Sequence, residues 1–428
     1  MTALTRRRLL QSSAAGAAGL TIAGASLPRP AAAADKVLKI GFLAPLTGEV
    51  AAWGLPGLNG CNIWADEVNA AGGIEIGGDT YTVEFVPYDN EYSPDRALAG
   101  ARKLVLEDEV KFIMMLGGDT WPAVQPFANA NGMLVSTLLP SDLSPDTPSL
   151  IAPTEVHPIY NVTGVQWLAE NFPDAKRVAI CAQEDSLGRP SVATYQAAFK
   201  VHGMEVVDEI FFDPATTDFA PIMTRMLASN PDVLCLDTAY ADFVNLLMEQ
   251  AFLQGFGGKI ISCTFDNYPQ VIEKTSVEFV EGTIFQFPDF DDPALEGRVT
   301  FTDSQKFWNT YQERFPNTWS AVSWEYASIM SLWVDAAKAA GSVEPGPVLQ
   351  AMKASPTGQH AFGPAVWWGE ELFGINNALV GDWPVVVMNS EGRARIAEFK
   401  SIPAWWDAHK ETFIETYRAY GEMWDQRA

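Results

Sequence analysis

The chain has 428 residues, 48% of them apolar and 11% aromatic, enough for two ordinary globular domains with sizeable cores. Its formal charge of −25 opposes binding to nucleic acid or to an anionic membrane surface. A small anionic ligand is not excluded, because a few local donors hold one against the global charge.

The first predicted element is an export signal over residues 1–34. Thr5 is followed by Arg6, Arg7, Arg8, Leu9 and Leu10, a twin-arginine motif. An apolar stretch over 14–27, a break at Pro28 to Pro30 and small residues at Ala32 and Ala34 complete the signal pattern. The expectation is export by the twin-arginine (Tat) translocase, with the mature chain starting at Asp35. That segment carries four arginines and no acid, so its removal takes the formal charge to −29. No cysteine precedes Cys61, so the signal offers no lipidation site, and no later run reaches the roughly 18 apolar residues of a membrane helix. The reading is a soluble, mostly monomeric periplasmic protein.

Strand-like runs follow at 37–44, 81–88, 110–116 and 133–137, separated by helix-like segments. In the first of these helices Leu58, Cys61, Ala65 and Val68 repeat at helical spacing; the second starts at Ser93-Pro94, an N-cap and first-turn pair. The same order begins again after a helix at 159–172, with strands at 178–182, 206–212, 233–236 and 260–263 and helices at 192–202, 219–228 and 243–254. Helices at 302–315 and 324–340 and strands at 385–388 and 394–399 come last and are expected to be shared between the two lobes. Alternation of this kind implies an α/β chain of two doubly wound, mostly parallel sheets covered on both faces. The expected division is 35–155 plus about 290–360 for one lobe, 156–289 plus about 361–400 for the other, and a helical extension over 401–428. Crossovers are expected near 153–158, 287–293 and 357–364. Cys61, Cys181, Cys235 and Cys263 show no metal-ligand spacing and read as buried thiols.

Ligands of open parallel sheets bind beyond the carboxyl ends of the strands. That rule selects 45–53, 117–121 and 138–141 in the first lobe, and 184–188, 237–240 and 264–266 in the second. Trp53, Trp121, Tyr240 and Phe265 there enclose an apolar body, while Thr47, Thr120, Ser141 and Ser186 offer hydroxyls to a polar end.

The opening run Ile40-Gly41-Phe42-Leu43-Ala44-Pro45-Leu46-Thr47-Gly48, with Ala51-Ala52-Trp53-Gly54 and Asn69-Ala70-Ala71-Gly72-Gly73-Ile74, resembles the leucine/isoleucine/valine-binding protein family. Tyr88-Asp89-Asn90, Asp218-Phe219, Glu281-Gly282 and Trp324-Glu325-Tyr326-Ala327 extend the likeness to about residue 341. The resemblance implies a type I periplasmic binding protein fold with three hinge crossovers, no cofactor, and an ABC importer permease as partner. It also implies that hydroxyls and backbone N–H groups of the first lobe hold a ligand carboxylate, while acidic and aromatic residues of the second position an amino group. Carried onto this sequence, the expected ligand-binding set is Trp53, Asp119, Thr120, Trp121, Leu139, Ser141, Ser186, Leu187, Tyr240 and Asp266; an offset of two would choose Thr264 for the acidic position. Departures from the family pattern at Gly117-Gly118-Asp119-Thr120-Trp121-Pro122, Leu138-Leu139-Pro140 and Leu187-Gly188 point to a bulkier, more apolar acid or amide than a simple amino acid. Pro140 in particular has no N–H to donate.

Two other functions compete with this reading. An enzyme would need a recognisable catalytic constellation, and the chain has no Gly-x-Ser-x-Gly, His-Glu-x-x-His, P-loop or Gly-x-Gly-x-x-Gly after the first strand. Of the four histidines only His157 falls near a crossover, where a hinge role is expected; His202 and His409 read as helix-surface residues. A sensor would hand its closed form to a separate signalling partner. The aromatic stripe Trp405, His409, Phe413, Tyr417, Tyr420 and Trp424 reads as a helix docked on a lobe, with a dimer contact as the alternative.

Overall fold

A computed structural model describes residues 36–48, 50–154, 157–237 and 241–427. The predicted export signal, part of the first crossover and Tyr240 lie outside the described residues. The first lobe runs β1 (Lys36–Ala44), α1 (Leu55–Ala70), β2 (Ile74–Ile76), β3 (Asp79–Asp89), α2 (Pro94–Leu106), β4 (Ile113–Met115), α3 (Trp121–Ala130), β5 (Val135–Ser136) and β6 (Leu150–Ile151). Its sheet has the order β2-β3-β1-β4-β5-β6, parallel except for the β2–β3 pair. Residues 40–44 of β1 are all buried, as expected of a strand covered on both faces.

The second lobe begins with α4 (Asn161–Asn171), β7 (Arg177–Gln183), α5 (Gly188–Val201), β8 (Glu205–Phe212), α6 (Ala220–Ala228), β9 (Val233–Leu236), α7 (Ala241–Leu253) and β10 (Lys259–Ser262). It continues through α8 (Tyr268–Lys274), α9 (Val277–Val280) and β11 (Ile284–Phe285). The chain then leaves for α10 (Ser304–Arg314), α11 (Val322–Ala340) and α12 (Pro345–Lys353), which lie on the first lobe. Glycines let α1 and α11 approach: a Cβ at Gly60 would come 1.9 Å from the Ser323 carbonyl, and one at Gly57 2.3 Å from the Tyr326 ring. Phe112 stacks on Trp333, and Arg314 pairs with Asp66 at 2.7 Å.

The return differs from the sequence-based expectation. Residues 357–364, expected as a crossover, instead form β12 (Thr357–His360) and the turn into β13 (Gly363–Trp368). Phe362 is buried in that turn. After α13 (Glu370–Phe373), β14 (Ala378–Met388) and β15 (Ala394–Ser401), the chain ends in α14 (Ile402–Ala419) and the segment to Arg427. None of β12 to β15 is shared with the first sheet. They complete a nine-stranded second sheet ordered β12-β13-β14-β11-β10-β9-β7-β8, with β15 beside β14.

At the hinge, Ala152 bridges to Ala378, and Asn377 donates to the Leu150 carbonyl at 2.9 Å. His157 is buried there. Its Nε2 lies 3.0 Å from the Leu187 carbonyl, which accepts only, so Nε2 carries the proton and Nδ1 accepts from the Tyr160 hydroxyl at 3.1 Å. Burial holds its pKa down to about 4 against the opposing effect of the Leu187 bond. All four cysteines are free and buried. His202 is half-buried rather than a surface residue, because α14 covers it: its ring lies 6.0 Å from that of His409, and its Nε2 accepts from the Trp405 indole. Trp405, Phe413 and Tyr417 of the aromatic stripe are buried where α14 docks on the second lobe, whereas Trp424 is 39% exposed.

Candidate functional site

The first lobe's strand-end loops are stapled from within. Ala44 and Asp89 are paired at the ends of β1 and β3. The Asp89 carboxylate there accepts from the backbone N–H groups of Leu46 and Glu91, at 2.9 and 3.0 Å, and from the Thr47 hydroxyl. Burial opposes its ionisation, but these hydrogen bonds prevail and hold its pKa below the usual carboxylate range. After β4, Gly117 and Gly118 adopt φ of 94° and 61°. A Cβ at Gly117 would sit 2.0 Å from an Asp142 oxygen. Asp142 accepts from the Gly118 N–H at 3.0 Å and from the Thr137 hydroxyl at 2.7 Å; burial pushes its pKa up to about 7.

In the second lobe, Asp185 accepts from the N–H groups of Leu187 and Gly188, both at 2.9 Å, and shapes the entry to α5. Burial raises its pKa, and the Asp119 carboxylate of the first lobe adds to the rise. Asp237, at the end of β9, is buried and its pKa is pushed well up by desolvation; Oδ1 accepts from the Ser191 hydroxyl at 2.6 Å. Asp266 accepts from the Ala321 N–H at 2.8 Å through Oδ2, a bond that ties the second lobe to the start of α11. Its Oδ1 is enclosed with no well-formed hydrogen bond among the described residues; burial raises its pKa, against the opposing effect of the Ala321 N–H, the Ser320 hydroxyl and the nearby backbone N–H groups of Asp266 and Phe265.

Between the lobes, Leu139 and Leu187 form a small apolar cluster against Trp53, separate from the main core. Beside it a cavity of about 290 Å³ opens between Trp53 and Pro56 on one side and Thr264, Asp266 and Gln270 on the other, with Trp319 at its edge. Beyond Asp266 a second space of about 420 Å³ is lined by Tyr268, Asp289, Trp308 and Arg393.

The structure thus brings together Trp53, Leu139, Leu187 and Asp266. Asp119 and Ser186 are exposed and face the cleft region: a Cβ at Gly118, next to Asp119, would point within 3.5 Å of the Ser186 hydroxyl. Two of the expected residues are buried within the first lobe. The Thr120 hydroxyl donates to the Gly117 carbonyl at 2.8 Å, so it has no proton left for a ligand carboxylate. Trp121 is 3% exposed and belongs to the first lobe's core, because α3 starts at that residue and turns the indole inward. Ser141 is half-buried and its carbonyl accepts from Arg427. Tyr240 lies outside the described residues.

Asp142 and the Asn317 to Ser320 segment were missed. Asp142 is adjacent to a predicted residue, and a short acid after a hydroxyl-bearing turn was the available signal. Trp319 reaches the cavity from a loop remote in sequence, and nothing local announces that.

A profile of the periplasmic binding protein family matches residues 37–393. The chain belongs to the periplasmic binding protein family. Among family relatives, the Leu/Ile/Val-binding protein BraC3 of Rhizobium johnstonii is 29% identical over 216 residues, 48% of this chain and 55% of the relative. The chain spans about half the length of the curated relatives it matches. Among solved family structures, the leucine-binding protein LivK of Thermotoga maritima superposes with a TM-score of 0.68 at 20% identity, covering 85% of this chain and 99% of that one. A solute-binding protein of an ABC transporter from Rhodopseudomonas palustris, solved with p-hydroxybenzoic acid, gives 0.69 at 18% identity, covering 86% and 98%. These likenesses fix the type I periplasmic binding fold.

Proposed function

We propose that this family member is the solute receptor of an ABC importer. It is exported through the twin-arginine translocase, captures a small ligand between its lobes by hinge closure, and presents the closed form to the permease as a monomer. The observation that carries this reading is the convergence of strand-end loops from two doubly wound sheets on Trp53, Leu139, Leu187 and Asp266, with a cavity beside them. The relatives are named for, or were solved with, ligands from branched-chain amino acids to p-hydroxybenzoic acid. Within that range, the enclosed Asp266 oxygen favours a ligand bearing N–H donors, an α-amino acid or amide, because a buried acceptor without a donor costs free energy. Trp53 and the two leucines supply the apolar clasp.

The chain's role on this reading is binding without chemical conversion, with both ring nitrogens of His157 engaged at the hinge by Tyr160 and the Leu187 carbonyl. A thermal-shift screen against amino acids, amides and aliphatic and aromatic carboxylates tests the proposal. A ligand at a hundredfold excess over Kd stabilises the folded state by about 2.7 kcal/mol and raises the melting temperature by several degrees. The hit should also compact the particle in small-angle scattering. Chemical turnover of the hit would replace the receptor reading with an enzyme, and tight binding without compaction would replace it with a rigid sensor.

A further inference from the structure

Residues 394–427 follow the region matched by the family profile, and their last turn reaches across the molecule. α14 docks on the second lobe, and Trp424 N–H donates to the Leu372 carbonyl at 3.1 Å. Glu422 lies 3.7 Å from Arg189, in the first turn of α5 directly after the Asp185 to Gly188 loop. From that anchorage Arg427 extends to the first lobe. Its Nη1 donates to the Ser141 carbonyl and its Nη2 to the Leu143 carbonyl, the latter at 3.3 Å. The residue between those carbonyls is Asp142, which holds the Gly118 N–H and the Thr137 hydroxyl. The Arg427 charge acts on the Asp142 carboxyl as well as on Glu422.

We propose that the segment Gly421 to Arg427 is a tie between the ligand-facing loops of the two lobes, with Arg427 as the positioning residue that holds the first lobe's Ser141 to Leu143 loop toward the second lobe. The inference rests on the receptor reading of the cleft. Its physical basis is that a guanidinium fork matches two carbonyls with little loss of freedom per bond formed, and a planar fork specifies direction as a point charge does not. One end of the tie is fixed on the second lobe through Trp424 and Glu422. Movement of the first-lobe loop away from the second lobe therefore breaks the Arg427 bonds. The tie biases the empty receptor toward closure, so part of the ordering that a ligand would otherwise impose is already in place.

The test needs no ligand. Leu106→Cys on the first lobe and Leu253→Cys on the second give spin-label sites at residues 63% and 65% exposed, while the four native thiols are buried. Double electron–electron resonance on this double variant should give one narrow interlobe distance distribution. Adding Arg427→Ala should raise the population of longer distances by roughly threefold to tenfold, the scale of one charge-assisted hydrogen bond at a half-exposed site. Arg427→Lys, which keeps the charge and loses the fork, should fall between. A purely structural role would lower the melting temperature and leave the distances alone. Superimposable distributions in all three proteins overturn the proposal. If Arg427→Ala fails to fold, Arg427→Lys decides alone: wild-type distances in it overturn the tie. Because the readout is ligand-free, such a failure leaves the receptor reading standing, and that reading falls only to the screen described above.

Discussion

The two lobes share a topology and use their carboxylates differently. In the first lobe, Asp89 and Asp142 are consumed within the loops that carry them, accepting backbone N–H groups and the hydroxyls of Thr47 and Thr137. In the second, Asp185 is consumed in the same way by the Leu187 and Gly188 N–H groups, whereas Asp266 has one oxygen bonded to Ala321 and the other enclosed with no well-formed hydrogen bond among the described residues. The difference teaches that loop composition alone does not distinguish a staple from a ligand group. What separates them is whether the surrounding backbone supplies enough donors to satisfy the carboxylate.

The largest effect that sharpens this contrast comes from pH. Asp142 in the first lobe and Asp289 in the second both titrate near 7 because of burial, despite hydrogen bonds from Thr137 and Tyr268. A carboxyl whose folded pKa is raised contributes stability that is full below its unfolded pKa and is lost as pH rises through the folded value. Relative to wild type, Asp142→Asn and Asp289→Asn should each gain about 3 kcal/mol of urea stability between pH 5 and pH 8, on top of a smaller gain already present at pH 5. The buried His157 and His360, both held down to about 4 by desolvation, act in the opposite sense: their contribution is present above 6.5 and disappears as pH falls toward 4. Equal stability curves for wild type and both Asn variants from pH 5 to 8 would show that neither carboxyl is perturbed.

Asp266→Asn comes next. The amide oxygen can still accept from Ala321, so the fold should persist, while affinity for an ammonium-bearing ligand should fall more than tenfold by calorimetry, the scale of a lost charged hydrogen bond. Retained or improved affinity would assign a ligand without the ammonium and erase the proposed division of labour between the lobes. Trp53→Ala should weaken binding by about tenfold through lost apolar cover against Leu139 and Leu187. Unchanged affinity there would move the ligand away from the apolar clasp.

The smallest effect is expected at Thr120. Its hydroxyl serves the Gly117 carbonyl, so Thr120→Ala should cost about 1 kcal/mol of stability and change affinity less than threefold. A hundredfold loss of affinity would restore Thr120 as a ligand donor and make the first lobe's loops more than a scaffold.

The sequence by itself determined the alternation of strands and helices, and with it the two sheets and the loops at their carboxyl ends, because period and punctuation are local properties. β1, β3, β7, β8, β9 and β10 all lie within a few residues of their predicted runs. The resemblance in residues 40–74 pointed to the family that the profile match establishes. Short strands such as β6 and β11, two residues each, have no period to read. The candidate site was legible only in part. Trp53, Leu139, Leu187 and Asp266 follow from strand-end position, whereas Trp319 and Arg427 enter from segments more than 50 residues away from the nearest of these four loops in sequence. Whether a Thr or Asp at a loop tip faces a ligand or its own backbone was decided by tertiary structure, since only the folded chain fixes which donors and acceptors lie within 3 Å. The same reason applies to residues 357–364, expected as a crossover, which the pairing of β12 with β13 and the burial of Phe362 make a hairpin.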